Sequence, residues 1–253
     1  MENSIIKVEQ LVKKYENFTA VNGISFEVAQ GEIFGLLGPN GAGKTTTLEI
    51  IETLRPKTSG KVWVDQLDLD RQSQEIKKII GVQLQAAGFY PNLNLKEIIE
   101  LFAGLYNASI DPLALLQSVQ LEDKAKSKFK HLSGGQKQRF SIATTLINQP
   151  KIIFLDEPTT GLDPQARRNL WELIKSLKEK GTTVVITTHY MDEAEILCDR
   201  VAIVDSGTII KQGSPDLLID ELLAGGFSRS KKVKDANLED VFLNLTGKAL
   251  REL

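Results

Sequence analysis

An α/β fold built on a parallel sheet is predicted for this 253-residue chain. Three observations predict it. The runs "KIIFLD" (151–156) and "TTVVITT" (182–188) are short and nearly unbroken in apolar and β-branched residues, as befits strands covered by helices on both faces. The segment between them, "PQARRNLWELIKSLKEKG" (164–181), reads as a helix with Pro164 near its start and Gly181 at its C-cap. Upstream, the apolar run "GEIFGLL" (31–37) enters a glycine-rich loop, and "TTTLEIIETL" (45–54) follows with Leu48, Ile51 and Leu54 on one side of a helix. That is a strand, a loop and a helix in succession.

The other elements follow in chain order. "SIIKVE" (4–9) and "VNGISFEV" (21–28) contain short β-like runs with partial alternation, and "KVWVD" (61–65) reads as a further strand. From about 86 to 150 β-type runs are scarce. "NLKEIIELFAGLY" (94–106), "DPLALLQSV" (111–119) and "GGQKQRFSIATTLI" (134–147) read as helices, giving a helical subdomain inserted into the α/β core. "RVAIVDSGTIIKQG" (200–213) reads as a hairpin turning at Ser206-Gly207. In "SPDLLIDELL" (214–223), Ser214 is placed to cap a helix and Pro215 to occupy its first turn. The stripe Leu238, Val241, Phe242 and Leu245 has helical spacing and is expected to dock on the chain's own core rather than on a partner. The domains are therefore 1–213 and a C-terminal helical extension, 214–253.

Composition narrows the function. Hydrophobic residues make up 42% and charged residues 25%, as in ordinary globular proteins. The net charge of −2 gives no global field that would hold DNA, RNA or anionic lipid, so nucleic acid is not expected as a partner. A single cysteine, Cys198, excludes an internal disulfide and fits a reducing compartment. The first fifteen residues lack the apolar centre of a signal peptide, and no window approaches the length that spans a bilayer. Any membrane part of the function is expected to come from another subunit.

The chemistry lies in three places. "GPNGAGKT" (38–45) matches G-x-x-x-x-G-K-[ST] at every fixed position and sits between an apolar strand and a helix. The backbone of Gly38, Pro39, Asn40, Gly41, Ala42 and Gly43 can wrap phosphates, and Lys44 can reach the β- and γ-phosphates. The Thr45 hydroxyl is placed for Mg²⁺, and Thr46 continues the helix start. A nucleoside triphosphate and Mg²⁺ are thus the expected ligands, and the family resemblance given below makes the nucleotide ATP. Asp156 and Glu157 end the strand "KIIFLD", where ligands gather in parallel sheets. Alone, such a pair is more often a turn and a helix cap. Beside a phosphate loop, Asp156 suits Mg²⁺ binding and Glu157 suits activation of the attacking water. His189 ends the strand "TTVVITT", where an imidazole can hydrogen-bond the γ-phosphate or Glu157. The other histidine, His131, is read as structural or surface.

A second glycine-rich helix start, "HLSGGQKQRF" (131–140), also suits an anion. Together these motifs resemble the ATP-binding subunits of ABC transporters. The resemblance rests on the Walker A "GPNGAGKTT", the signature "LSGGQKQR" (132–139), the Walker B "IIFLDEP" (152–158), the D-loop "GLD" (161–163) and the switch histidine in "TTHYMDEAE". It covers roughly residues 4–220. It implies a P-loop NTPase (RecA-like) core with an antiparallel β subdomain and the inserted α-helical subdomain. It also implies roles that bare reading does not give. Tyr15 matches the aromatic that stacks on adenine, although on its own it reads as packing. Gln85 matches the Q-loop glutamine that touches Mg²⁺ and the attacking water, with Gln83 as a nearby competitor. Asp163 matches the D-loop aspartate of the dimer interface. Ser133, Gly134, Gly135 and Gln136 match the signature that contacts ATP held by the opposite copy.

By the same resemblance, two ATPase subunits, as a homodimer or a heterodimer, close head to tail over two MgATP. "GVQLQ", "TTHYMDEAE" and the tail "NLEDVFLNLTGKALREL" resemble the drug-resistance type that partners polytopic ABC-2 membrane subunits. The chain is then expected on the cytoplasmic face of the cell membrane, energising export of drug-like or lipophilic substrates. One departure is "NLNLKE" (92–97), where relatives commonly show a threonine-valine pair before an acidic residue. The alternative, a soluble ABC ATPase acting on ribosomes or nucleic acid, is disfavoured. This length holds one ATPase unit, and the gap between phosphate loop and signature carries no sustained heptads. A GTPase or kinase would lack the N-K-x-D guanine motif and leave the signature unexplained.

Overall fold

The structure, a computed structural model, describes residues 4–83 and 88–227 together with Val241, Asn244 and Leu245. The chain starts with a long hairpin, β1 (Ser4–Tyr15) and β2 (Phe18–Ala29). Both strands run further than the alternation predicts. Gln10 has a left-handed backbone (φ 48°), and the register shifts between Val8 and Leu11, which breaks the period-two pattern without ending the strand. Then come β3 (Ile33–Leu37), α1 (Lys44–Ile51), β4 (Ser59–Val64), β5 (Leu67–Asp68), α2 (Ser73–Ile79) and β6 (Ile80–Gln83). The helical insertion follows as α3 (Leu95–Tyr106), α4 (Pro112–Ser118) and α5 (Gly134–Thr145). The chain returns to the sheet with β7 (Ile152–Asp156), α6 (Pro164–Glu179), β8 (Thr183–Thr188), α7 (Met191–Leu197), β9 (Arg200–Asp205), β10 (Thr208–Gly213) and α8 (Pro215–Ala224).

Two sheets result. One is antiparallel, in the order β2-β1-β4-β5. The other runs β10-β9-β3-β8-β7-β6, with β9, β3, β8, β7 and β6 mutually parallel. Every residue of β3, β7 and β8 is buried, as continuous apolar strands between covering layers require. One face of the parallel sheet packs against the antiparallel sheet and α1, through Phe34, Phe154 and Val185. The other face packs against α5, α6, α7 and α8, through Ile153, Leu155 and Ile186. The carboxyl ends of β3, β7 and β8 all deliver the chain to one edge, which places the three motif loops side by side.

Some details differ from the sequence reading. α1 stops at Ile51, Thr53 is left-handed (φ 64°), and Leu54 is 54% exposed instead of continuing an apolar side. Glu52, by contrast, is buried. The short elements β5, α2, β6 and α7 carry no expectation from the sequence, because two to seven residues show too little periodicity. The capping expectations hold locally. Ser214 Oγ accepts from Leu217 N–H, and the hairpin turn has Ser206 and Gly207 both left-handed, at φ 50° and 76°. Gly181 (φ 89°) follows the actual cap, Lys180. Val241 is buried in the core on the helix-covered face of the parallel sheet, as docking on the chain's own core predicts, whereas Leu245 is 37% exposed. Leu238 and Phe242 lie outside the described residues.

Candidate active site

The phosphate loop wraps the start of α1. Gly43 caps that helix in a left-handed conformation (φ 99°), and a Cβ there would come within 2.4 Å of the Ala20 carbonyl oxygen. Only glycine fits both demands. Lys44 is 5% exposed, and its Nζ donates to the carbonyls of Gly38 at 2.8 Å and Pro39 at 3.0 Å. The same Nζ lies 3.7 Å from Glu157 Oε1. Burial lowers its pKa, opposed by the charges of Glu157 and Asp156.

Asp156 ends β7 within reach of two hydroxyls. Thr45 Oγ1 donates to its Oδ1 at 3.1 Å, and Thr187 Oγ1, from the adjacent β8, donates to the same oxygen. Burial raises the Asp156 pKa, and the two hydroxyl donors oppose that rise. Glu157 has a left-handed backbone (φ 47°) that turns the chain out of the sheet. Its N–H donates to Thr187 Oγ1 at 3.0 Å, and Thr160 Oγ1 donates to its Oε2 at 3.2 Å. His189 Nδ1 is 3.3 Å from the same Oε2, close enough for a charge contact but not aligned as a hydrogen bond. Lys44, Asp156, Glu157 and His189, read separately from sequence, thus meet in one place.

Lys44, Glu157 and His189 open onto a cleft of about 510 Å³ that is also lined by Asn40, Gly41, Gly43, Thr45, Thr46, Thr160 and Tyr190, and by Tyr15 and Phe18. The volume suits a nucleotide-sized ligand. Tyr15 therefore shares the phosphate loop's cleft. Its hydroxyl accepts from Arg55 Nη1 at 2.7 Å, and Arg55 Nε donates in turn to Glu49 Oε2 at 2.5 Å. Sequence reading missed Thr187, Thr160 and Arg55. The paired threonines before His189 were a usable signal, whereas nothing local marks Arg55.

The signature lies elsewhere. Ser133 caps α5 through a capping box, with its N–H donating to Gln136 Oε1 at 2.9 Å and Gln136 N–H donating to Ser133 Oγ at 3.3 Å. Gly135 sits where a Cβ would lie 2.8 Å from Ala166 Cβ of α6. None of Ser133, Gly134, Gly135 or Gln136 lines the cleft. Asp163 caps α6, accepting from Gln165 N–H at 3.0 Å and Ala166 N–H at 2.9 Å. Gln85 lies outside the described residues. Gln83, its competitor, is 2% exposed at the end of β6, with no hydrogen-bond partner on Oε1 among the described residues. His131 is exposed, as expected of a residue outside the mechanism.

A parallel sheet with a glycine loop, a buried lysine and paired acidic residues at its carboxyl edge defines a P-loop nucleoside triphosphatase. The sequence profile of the ABC transporter family matches residues 21–160. The chain belongs to that family, as an ATP-binding subunit that hydrolyses ATP to energise a transporter. It is 35% identical to the Nod factor export ATP-binding protein I of Paraburkholderia xenovorans (strain LB400), covering 100% of both chains. It is 39% identical to the linearmycin resistance ATP-binding protein LnrL of Bacillus subtilis (strain 168), covering 86% of this chain and 72% of that one. Its fold is similar to a solved ATP-binding subunit of an ABC transporter, with TM-score 0.81 and 27% identity over 96% of this chain and 100% of the other. It is also similar to a dimeric ATP-binding cassette in a post-hydrolysis state bound to ADP and Pi, with TM-score 0.74 and 30% identity over 83% and 98% of the two chains.

Proposed function

We propose that this subunit powers an exporter of drug-like or lipophilic molecules, acting from the cytoplasmic face of the membrane through a polytopic ABC-2 type partner. Relatives named for Nod factor export and linearmycin resistance support that reading. Among the described residues no helix is long and apolar enough to cross a membrane, in keeping with a separate membrane subunit. Residues 1–213 serve as the ATPase unit, about 86–150 as its helical subdomain and 214–253 as an extension.

One observation carries the catalytic reading: Lys44, Glu157 and His189 meet in one cleft that the signature does not line, with Asp156 just behind it on the Thr45 hydroxyl. Tyr15 stacks on the base. The backbone from Gly38 to Gly43 holds the phosphates together with Lys44, Thr45 and Thr46. Thr45 and Asp156 present two hard oxygens 3.1 Å apart, a donor set that suits Mg²⁺, which takes few protein oxygens and fills its shell with phosphate and water. When bound, that ion would neutralise charge developing on the β- and γ-phosphates. Glu157 accepts the proton of the attacking water, and Gln85 orients that water. His189 donates to the γ-phosphate. A second copy, identical or related, supplies Ser133, Gly134, Gly135 and Gln136, and Asp163 works across the same interface. Loss of the bridging γ-phosphate then reopens the dimer.

Glu157→Gln tests this. It is expected to bind ATP, to slow turnover at least about a hundredfold, and to accumulate as an ATP-loaded dimer in sedimentation. Wild-type turnover would remove Glu157 from the role of base. Co-purification of the full chain from native membranes should bring down a polytopic subunit, and recovery with ribosomes alone would reverse the transport assignment.

A further inference from the structure

His189 must be aimed, since a hydrogen-bonding group acts only within reach of its target. Yet among the described residues its Nδ1 has no hydrogen-bond partner to fix it. Its neighbour in sequence supplies a brace. The Tyr190 ring centroid lies 4.1 Å from that of His189, with the planes inclined at 38°. Tyr190 N–H donates to Thr188 Oγ1 at 3.0 Å, which fixes the backbone around the imidazole. Arg167 Cζ lies 4.5 Å from the Tyr190 ring centroid, and its Nη1 is 3.6 Å from Asp192 Oδ2. Arg167 stands in the first turn of α6, where its N–H donates to the carbonyl of Asp163. A planar guanidinium suits stacking on an aromatic face better than an ammonium does. Tyr190 lines the nucleotide cleft and Arg167 does not, and neither has a part in the nucleotide chemistry assigned above.

We infer that Arg167 and Tyr190 are positioning residues. Arg167, carried on the helix that Asp163 caps, holds the Tyr190 ring, and that ring sets the attitude of His189 toward Glu157 and the γ-phosphate. A shift of the α6 N-terminus, at the face where a second copy docks, is thereby passed to His189 through two stacked groups. The inference rests on the reading of His189 given under the proposed function.

Steady-state ATP turnover and equilibrium ATP binding by the full-length chain test it. Tyr190→Leu and Arg167→Met are expected to lower kcat about tenfold or more while ATP affinity falls far less, because they misplace a contact group and remove none of the assigned phosphate or base contacts. Tyr190→Phe keeps the ring and should recover most of the turnover lost in Tyr190→Leu. Arg167→Lys preserves the charge opposite Asp192 and spares the fold, yet should lose turnover in the same sense. The deciding measurement is the double variant. Tyr190→Leu should add nothing to the loss already caused by His189→Ala, since both act through one imidazole. Losses that multiply would overturn the inference, as would wild-type kcat in Tyr190→Leu and Arg167→Lys beside a slow His189→Ala. Wild-type turnover in His189→Ala would instead overturn the role of His189 itself, and the inference with it.

Discussion

Lys44 shares a buried pocket with Asp156 and Glu157, and Glu52 stands behind them. The Glu52 side chain is 3% exposed, and its pKa is pushed up to about 8 by burial, with the charges of Asp156 and Glu49 adding to the rise. In the unfolded chain a glutamate titrates near about 4.3. Between those values the folded protein keeps a proton that the unfolded chain has released. Stability is therefore full below about pH 4.3 and falls as pH rises through about 8, where the buried carboxyl ionises. Glu52→Gln should remove this slope. At pH 8.5 the variant is expected to be more stable than the parent by roughly 1–3 kcal/mol, with little difference near pH 5. Urea unfolding at the two pH values measures it, and equal stabilities at pH 8.5 would refute the assignment. Glu52 looks like one more polar residue of an amphipathic helix in the sequence. Its burial follows from how α1 packs against the end of β7.

At the scale of elements, the meeting of α5 and α6 matters most, because it joins the signature to the helix that Asp163 caps. Gly135 allows the approach. An alanine there would bring its Cβ to 2.8 Å from Ala166 Cβ, whereas at Gly134 the nearest atom is Leu162 Cδ2 at 3.7 Å, an ordinary contact. Gly135→Ala is thus expected to cost about 1–3 kcal/mol of folding stability through overpacking, while Gly134→Ala should stay within about 0.5 kcal/mol. Thermal unfolding of the pair separates the two cases, and equal melting would show that the helices part freely. The helical insertion is tied together by aromatic rings. Phe89 lies 4.6 Å from Phe129, 5.3 Å from Phe140 and 5.9 Å from Phe102, centroid to centroid. Phe89 is therefore held among the rings of α3, α5 and the turn at Phe129.

At the scale of the whole molecule, the cleft and the signature occupy separate surfaces. Ser133→Arg places a long cation where the opposite copy's γ-phosphate is expected to dock. It should leave ATP binding by the single chain nearly intact and abolish ATP-induced dimerisation, which sedimentation velocity with Glu157→Gln as the background would read. Dimerisation persisting in that double variant would refute assembly through the signature.

The sequence by itself determined the class of chemistry. A glycine loop between strand and helix, acidic residues ending an apolar strand, and capping residues at helix starts are each set by local geometry, so a few adjacent positions carry the signal. Gly38 to Thr46, Ser133 to Gln136, Asp156, Glu157 and His189 were legible for that reason. Only the tertiary structure decided which distant groups meet. Thr187 reaches Asp156 because β7 and β8 pair in parallel register, with Asp156 beside Thr187. Arg55 reaches Tyr15, and Arg167 reaches Tyr190, across 40 and 23 positions of chain that no local pattern connects. Strand register and helix packing fix those encounters, and both are properties of the assembled sheet and its covering helices rather than of any segment alone.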